Sequence, residues 1–212
     1  MKNYSCISLL RHAKAEKNLE KRHGGKGSSL ISEGYLELDA LIANLRLWDI
    51  NYHKTLYVPR LQCEETARYI SRKLNLEIAA LSGLYPLNMG ILDGLSDNEM
   101  QDKYPKYATL LSRCAEGNCE ICELKIPQME NPVDFYNRGS SFLDSISPIT
   151  ESIVIVATRS ILILLANILL GKTVERGGGY KVITWKNSDI LTFKYDTEKP
   201  VVATNWSTVS LQ

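Results

Sequence analysis

The stretch Ser8-Leu9-Leu10-Arg11-His12-Ala13-Lys14-Ala15-Glu16-Lys17-Asn18 decides how the rest of the chain reads. An apolar run from Ile7 to Leu10 breaks abruptly into Arg-His and then into polar residues. In an α/β protein this is how a buried strand delivers a charged pair to the carboxyl edge of a parallel sheet, where ligand sites collect. Arginine at that edge offers a fixed fork of donors matched to phosphate or carboxylate. An adjoining imidazole serves as nucleophile, base or ligand near neutral pH. Taken alone, such a pair is more often a surface pair than a site. Its place after the first strand, and the order of the later motifs, favour a site.

Residues 4–10 read as that strand and 19–31 as a flexible basic loop with Arg22, His23, Gly24, Gly25, Gly27, Ser28 and Ser29. Ser32 is placed to cap a helix reaching about Trp48, whose Leu38, Leu41, Ile42, Leu45 and Trp48 keep helical spacing. Thr55 to Val58 reads as a second strand ending at Pro59-Arg60, and a helix follows from Glu64 to about Leu74. Residues 77–90 read as irregular. Ser96-Asp97-Asn98-Glu99 is a capping box, so a helix starts there, and Pro105 ends or bends it. Asn131-Pro132 opens another helix.

Ser152 to Ala157 leaves no polar face, as expected of a central parallel strand, and Thr158-Arg159-Ser160 is the turn at its carboxyl end. A helix over 160–170 ends at Gly171. Residues 181–186 and 190–195 read as a closing hairpin around Asn187-Ser188-Asp189. The alternation implies an α/β protein, a three-layer α/β/α sandwich with a mostly parallel central sheet and no internal repeats. One domain over 1–212 is expected, with a variable excursion at about 111–130.

The bulk numbers set outer bounds. At 212 residues, 44% hydrophobic and 23% charged, the chain is long enough for a sizeable core. A net charge of +1 gives no electrostatic case for nucleic acid or an anionic membrane as main partner. The run from Ile161 to Leu170, interrupted by Asn167, is too short to span a bilayer. Met1-Lys2-Asn3-Tyr4 leads straight into the first strand, so a soluble, cytoplasmic protein is expected. Five cysteines do not form a disulfide framework. Cys114, Cys119 and Cys122 keep a C-x4-C-x2-C spacing seen at iron–sulfur sites, yet no cysteine follows Cys122 to complete it. Cys63 or Cys6 folding back could complete a zinc or cluster site, but reduced thiols in a loop-like insertion are the plainer reading, so no metal and no cofactor is expected.

The order of motifs resembles the histidine phosphatase superfamily, the phosphoglycerate-mutase-like fold, over nearly the whole chain. Arg11-His12 matches that family's opening Arg-His, with Asn18 at the usual distance. Leu30-Ile31-Ser32-Glu33-Gly34 is similar to its Leu-Thr-x-x-Gly helix start, and Pro59 to Ala67 to its Ser-Pro-Leu-x-Arg-x-x-Gln-Thr-Ala element. Gly90 to Leu95 resembles Phe-Gly-x-Trp-Glu-Gly-Leu, and Val154 to Ser160 takes the place of the strand ending in Ser-His-Gly.

The resemblance implies that His12 accepts a phosphoryl group, with Arg11 beside it. It also implies a second Arg, a second His and a carboxylic acid that protonates the leaving oxygen. This chain departs at all three: Gln62 stands at the second Arg with Arg60 two residues away, Val156-Ala157-Thr158-Arg159 replaces Val-Ser-His-Gly, and the acid falls on Pro86. His23 and His53 lie in segments that do not supply the second His in this family. Each charge-assisted contact to a phosphoryl oxygen is worth about 1.5–3 kcal/mol, and a positioned acid roughly 10²–10⁴ in rate, so efficient alkyl phosphate hydrolysis by that family's mechanism is not expected of these residues. Expected catalytic residues are His12 and Arg11; expected anion contacts are Asn18, Arg60, Gln62, Thr158 and Arg159. The expected ligand is a small phosphorylated or carboxylated molecule, and a homodimer is the assembly to test. Two functions stay open: narrowed or repurposed phosphatase chemistry at His12, and an inactive pseudoenzyme serving regulation or assembly.

Overall fold

The computed structural model describes residues 5–195 and the backbone of 201–206. Strands β1 (Ser5–Arg11), β2 (Tyr52–Tyr57), β3 (Glu77–Ala80), β4 (Ser152–Ala157), β5 (Ile190–Tyr195) and β6 (Val201–Trp206) form one sheet in the order β3-β2-β4-β1-β5-β6. The first four in that order run parallel, and β5 and β6 close the sheet antiparallel. β4 is central because it can be: every residue of it is buried, and Ile155 pairs with Leu9 of β1 on one side and Leu56 of β2 on the other. Burying each such Val or Ile side chain contributes about 1.5–3 kcal/mol.

The helices are α1 (Glu16–Leu19), α2 (Ser32–Leu45), α3 (Leu61–Leu74), α4 (Asp97–Lys103), α5 (Pro105–Ala115), α6 (Pro132–Ser145) and α7 (Arg159–Leu169). The two-residue period of the strands sorts the core into two layers. Ile7, Leu9, Ile153 and Ile155 pack with α6 and α7 residues such as Phe135, Phe142, Leu162 and Leu165. Leu10, Val154 and Val156 pack with Leu38, Leu41 and Leu45 of α2 and Ala67 and Ile70 of α3. The result is an α/β/α sandwich. A third cluster, Leu92, Met100, Cys114, Leu124 and Ile126, forms a smaller cap from α4, α5 and the turn Ile121–Glu123. Among the described residues, no helix is long and apolar enough to cross a membrane.

Local chemistry explains most boundaries. The Ser96 hydroxyl accepts from the Glu99 N–H, the Glu99 carboxylate accepts from the Ser96 N–H, and α4 starts there. Asn131 caps α6 through the Val133 N–H. Pro105 takes the first turn of α5, where its missing N–H costs nothing. Gly34 is required by close approach: a Cβ there would sit 2.4 Å from the Lys14 carbonyl oxygen.

Three expectations need correction. Ser32 is the first residue of α2 and not its cap; Ile31 holds that place without a side-chain bond. Residues 77–90 are not irregular throughout, because Glu77–Ala80 adds β3 to the parallel edge. Residues 181–186 make no strand with 190–195; β5 pairs with β1 and β6 instead. The Asn167 side chain takes the role a ladder would play there, bonding the Lys181 N–H and carbonyl, both at 2.8 Å.

Candidate active site: a cationic cavity at the carboxyl edge of the sheet

Three parallel strands end side by side, and their tips are tied together. The His12 N–H donates to the Ala157 carbonyl at 3.2 Å, the Val58 N–H to the Val156 carbonyl at 3.0 Å, and the Arg11 N–H to the Asp189 carbonyl at 3.0 Å. This edge receives Arg11 and His12 from the end of β1, Arg60 from the β2–α3 turn, Gln62 from the first turn of α3, and Thr158 and Arg159 from the start of α7. With Asn18 of α1, all of these line one cavity of about 710 Å³.

His12 is 3% exposed, and its Nδ1 lies 2.9 Å from the Ala13 carbonyl oxygen. A carbonyl only accepts, so the proton sits on Nδ1 and Nε2 carries the lone pair. Burial foremost, and the Arg11 charge next, hold the imidazole well below its ordinary range, at about 3, so the ring is neutral. The backbone beside it is fixed from several elements. The Ala13 N–H donates to Thr66 Oγ1 at 3.0 Å, and that hydroxyl donates to the Gln62 carbonyl. Asn187 Nδ2 donates to the His12 carbonyl at 2.9 Å and to Asn18 Oδ1 at 3.2 Å. Asn18 Oδ1 also accepts the Ala15 N–H, so this side chain shapes the loop as well as the cavity.

Around that ring the donors outnumber their acceptors. Arg11 Nη1 donates to the Trp185 carbonyl at 2.5 Å, while its Nε is buried without a partner. Gln62 is fully buried; its Oε1 accepts from the Ser28 N–H, but its Nε2 has no partner. Leaving a buried donor unpaired costs about 1–3 kcal/mol, which an acceptor ligand would recover. Among the described residues, the lining cations are Arg11, Lys17, Lys21, Arg22, Arg60 and Arg159, against one lining carboxylate, Asp97. Burial first, then the Arg159 charge, lowers the Arg11 pKa to about 10; burial, then Arg60, lowers that of Lys17. Cations that depress one another in a concave, partly desolvated site make a strong anion trap.

Arg159 is open to solvent yet surrounded by protein, and burial lowers its pKa against the opposing pull of Asp97. Glu99 is held elsewhere, since that carboxylate pairs with Arg22 at 2.7 Å. Thr158 is the N-cap of α7 without capping through its side chain; its hydroxyl lies 3.5 Å from that of Ser160. Pro86 lines the cavity where the resemblance places the acid, and the far wall is apolar, with Leu87, Met100, Leu111 and Phe135. Cys114 also lines it, its thiol pushed up to about 12 by burial. Among the described residues, no group of three His, Cys, Asp or Glu side chains converges to hold a metal ion.

Sequence reasoning sets aside one residue that the fold brings in. His23 lines the same cavity, because the loop carrying it is laced to the start of α4. Its N–H donates to the Leu95 carbonyl, its carbonyl accepts from Gly94, and its Nε2 lies 2.7 Å from Asp97 Oδ1. Asn187 reads from the sequence only as part of a turn, and nothing in its spacing announces contact with His12. Lys17 reads there as an ordinary exposed lysine, yet its Nζ donates to the Gly24 carbonyl at 2.5 Å on the cavity wall.

Comparison with known proteins agrees with this architecture. The family model of the histidine phosphatase superfamily (branch 1) matches residues 7–207. Phosphoglycerate mutase from Bacillus anthracis str. Sterne superposes with a TM-score of 0.74 at 21% identity, covering 95% of this chain and 92% of that one. Mycobacterial glucosyl-3-phosphoglycerate phosphatase in complex with VO3 gives 0.75 at 17% identity, covering 94% and 97%. Bacillus stearothermophilus YhfR gives 0.73 at 18% identity, covering 97% and 98%. At these identities the likeness is one of fold. No curated protein matches the chain.

Proposed function

Because the chain belongs to the histidine phosphatase superfamily, we propose that it removes the phosphoryl group from a small phosphorylated organic molecule, with His12 as the acceptor. The observation that carries this is the pairing of a neutral, tautomer-fixed His12, its Nε2 without a hydrogen-bond partner among the described residues, with two buried unpartnered donors on residues lining the same cavity, Arg11 Nε and Gln62 Nε2. Those donors and the Arg159 and Arg60 charges would hold the phosphoryl oxygens. Nε2 of His12 forms the N–P bond as the bond to the leaving oxygen breaks, and water then returns the phosphoryl group as phosphate. The cavity volume suits a small molecule, for which sites usually fall between about 300 and 1,000 Å³.

Gln62 and Thr158, standing where charged partners are expected, favour the second reading, a phosphate-binding module without turnover. One experiment separates them. The protein and a His12→Ala variant are incubated with para-nitrophenyl phosphate, acetyl phosphate and a phosphohistidine peptide, and phosphoenzyme is trapped. Turnover and an acid-labile phosphoenzyme that vanish in His12→Ala are expected. Vanadate binding with neither of them would establish the module, and turnover surviving in His12→Ala would remove this histidine from the chemistry.

A further inference from the structure

We propose that His23, oriented by Asp97, is the proton donor to the leaving oxygen; the inference rests on His12 being the phosphoryl acceptor. An alkyl ester needs such a donor, because an alkoxide leaves poorly, and Pro86 has no proton to give. Imidazole is the side chain that ordinarily exchanges a proton near neutral pH. The cavity lining contains His12 and His23 as its imidazoles, and His12 is committed to phosphorus.

The geometry gives His23 a defined role. Its Nε2 lies 2.7 Å from Asp97 Oδ1, and a carboxylate accepts, so Nε2–H is anchored and Nδ1 is turned to other use. Nδ1 makes no hydrogen bond among the described residues. Backbone bonds to Leu95 and Gly94 hold the residue on both sides, and its side chain is 29% exposed. A carboxylate behind an imidazole fixes its orientation and stabilises the imidazolium. The charged groups around the pair come from four elements: Asp97 and Glu99 of α4, Arg22 of its own loop, Asp93 on the Gly25 N–H, and Arg159 of α7. Glu99 is occupied by Arg22, so Asp97 is the carboxylate left for the imidazole.

In the first step His12 Nε2 bonds to phosphorus and the P–O bond breaks. Its electron pair stays on the leaving oxygen, which takes the proton from His23 Nδ1 and departs as the alcohol. In the second step neutral His23 Nδ1 accepts a proton from the attacking water. The N–P bond breaks, phosphate leaves, and both histidines regain their starting states.

The test is how the loss depends on the leaving group. His23→Asn and Asp97→Asn are compared with the wild-type chain on an alkyl phosphate and on para-nitrophenyl phosphate, whose phenolate leaves without help. His23→Asn is expected to lower kcat/KM on the alkyl ester by about 10²–10⁴ and on the nitrophenyl ester by no more than about 10-fold. Asp97→Asn is expected to weaken turnover of the alkyl ester more than that of the nitrophenyl ester, because the imidazole loses the carboxylate that orients it. Added imidazole should restore part of the lost rate in His23→Asn. Equal losses on both esters, or full alkyl ester turnover in folded His23→Asn, would overturn the proposal. A wild-type chain that forms no phosphoenzyme on His12 overturns the assignment beneath it, and this one with it.

Discussion

His12 should make the fold acid-sensitive in a way that one substitution removes. The ring is 3% exposed and titrates at about 3 when folded, against 6.5 for an ordinary imidazole. In the window between those values the unfolded chain takes up a proton that the native state refuses. Protonation therefore favours unfolding, and stability drops as pH falls below 6.5 toward 3. The slope approaches about 1.4 kcal/mol per pH unit, which integrates to about 2 kcal/mol lost between pH 7 and pH 5. At a urea m-value of about 2 kcal/mol/M, that is a midpoint lowered by roughly 1 M.

The assay is urea unfolding of the wild type and of His12→Gln at both pH values, in buffers free of phosphate so that no bound anion adds stability to the native state. Gln cannot titrate, so its midpoint should fall less than the wild-type one by about that 1 M. Carboxylates and the remaining histidines contribute equally to both proteins and cancel in the difference. If both proteins lose the same stability, His12 is either charged in the native state or exchanging protons freely with solvent. The neutral nucleophile would then be wrong.

Gln62→Arg should return a charged donor to the phosphoryl oxygens, tightening vanadate binding by roughly 10-fold or more in calorimetry; unchanged affinity would show that this side chain does not face the anion. Gly34→Ala drives a Cβ to 2.4 Å from the Lys14 carbonyl oxygen, and backbone cannot yield as a side chain would. A loss of about 1–3 kcal/mol in urea stability is expected, together with weaker vanadate binding as the segment bearing Lys17 and Asn18 shifts. Ser8 joins Tyr52 at 2.6 Å and Thr192 at 2.7 Å inside the sheet, so Ser8→Ala should cost about 1–3 kcal/mol by removing two buried hydrogen bonds and leaving Tyr52 and Thr192 only each other. A stability within error of wild type would mean those groups find other partners.

Elements whose code is local were readable from the chain. The Ser96–Glu99 box and the Asn131-Pro132 start work through atoms a few residues apart, and both open helices in the fold. The apolar, β-branched run at β4 has no polar face, the pattern of a strand covered on both sides. β3 escaped notice because Glu77, Ile78 and Ala80 of this edge strand are exposed, so its side chains carry no alternation. The supposed strand over 181–186 misled in the opposite sense. Ile183 and Trp185 are buried, but Trp185 spends its indole N–H on the Asp189 carbonyl and its own carbonyl on Arg11. Burial alone imitated a strand.

Within the cavity, the residues that sequence order singled out do come together, because parallel strands of one sheet put every strand-to-helix turn at the same edge. The polar partners were not legible. His23 and Asp97 are 74 positions apart, and Asn187 reaches His12 across 175. Neither separation leaves any periodic mark in the chain.

The amino-acid order by itself determined the alternation of strands and helices, the charged break after the first strand, and which residues, Pro86 and Thr158, stand where the resemblance expects an acid and a second histidine. Those properties come from local backbone preference and from which residue occupies which position. Only the tertiary structure decided that Arg11 Nε and Gln62 Nε2 lie buried without acceptors, that His12 is neutral, and that a loop histidine meets an α4 carboxylate over the same cavity. Desolvation and through-space charge depend on the packing around an atom, and packing exists only once distant segments have closed upon each other.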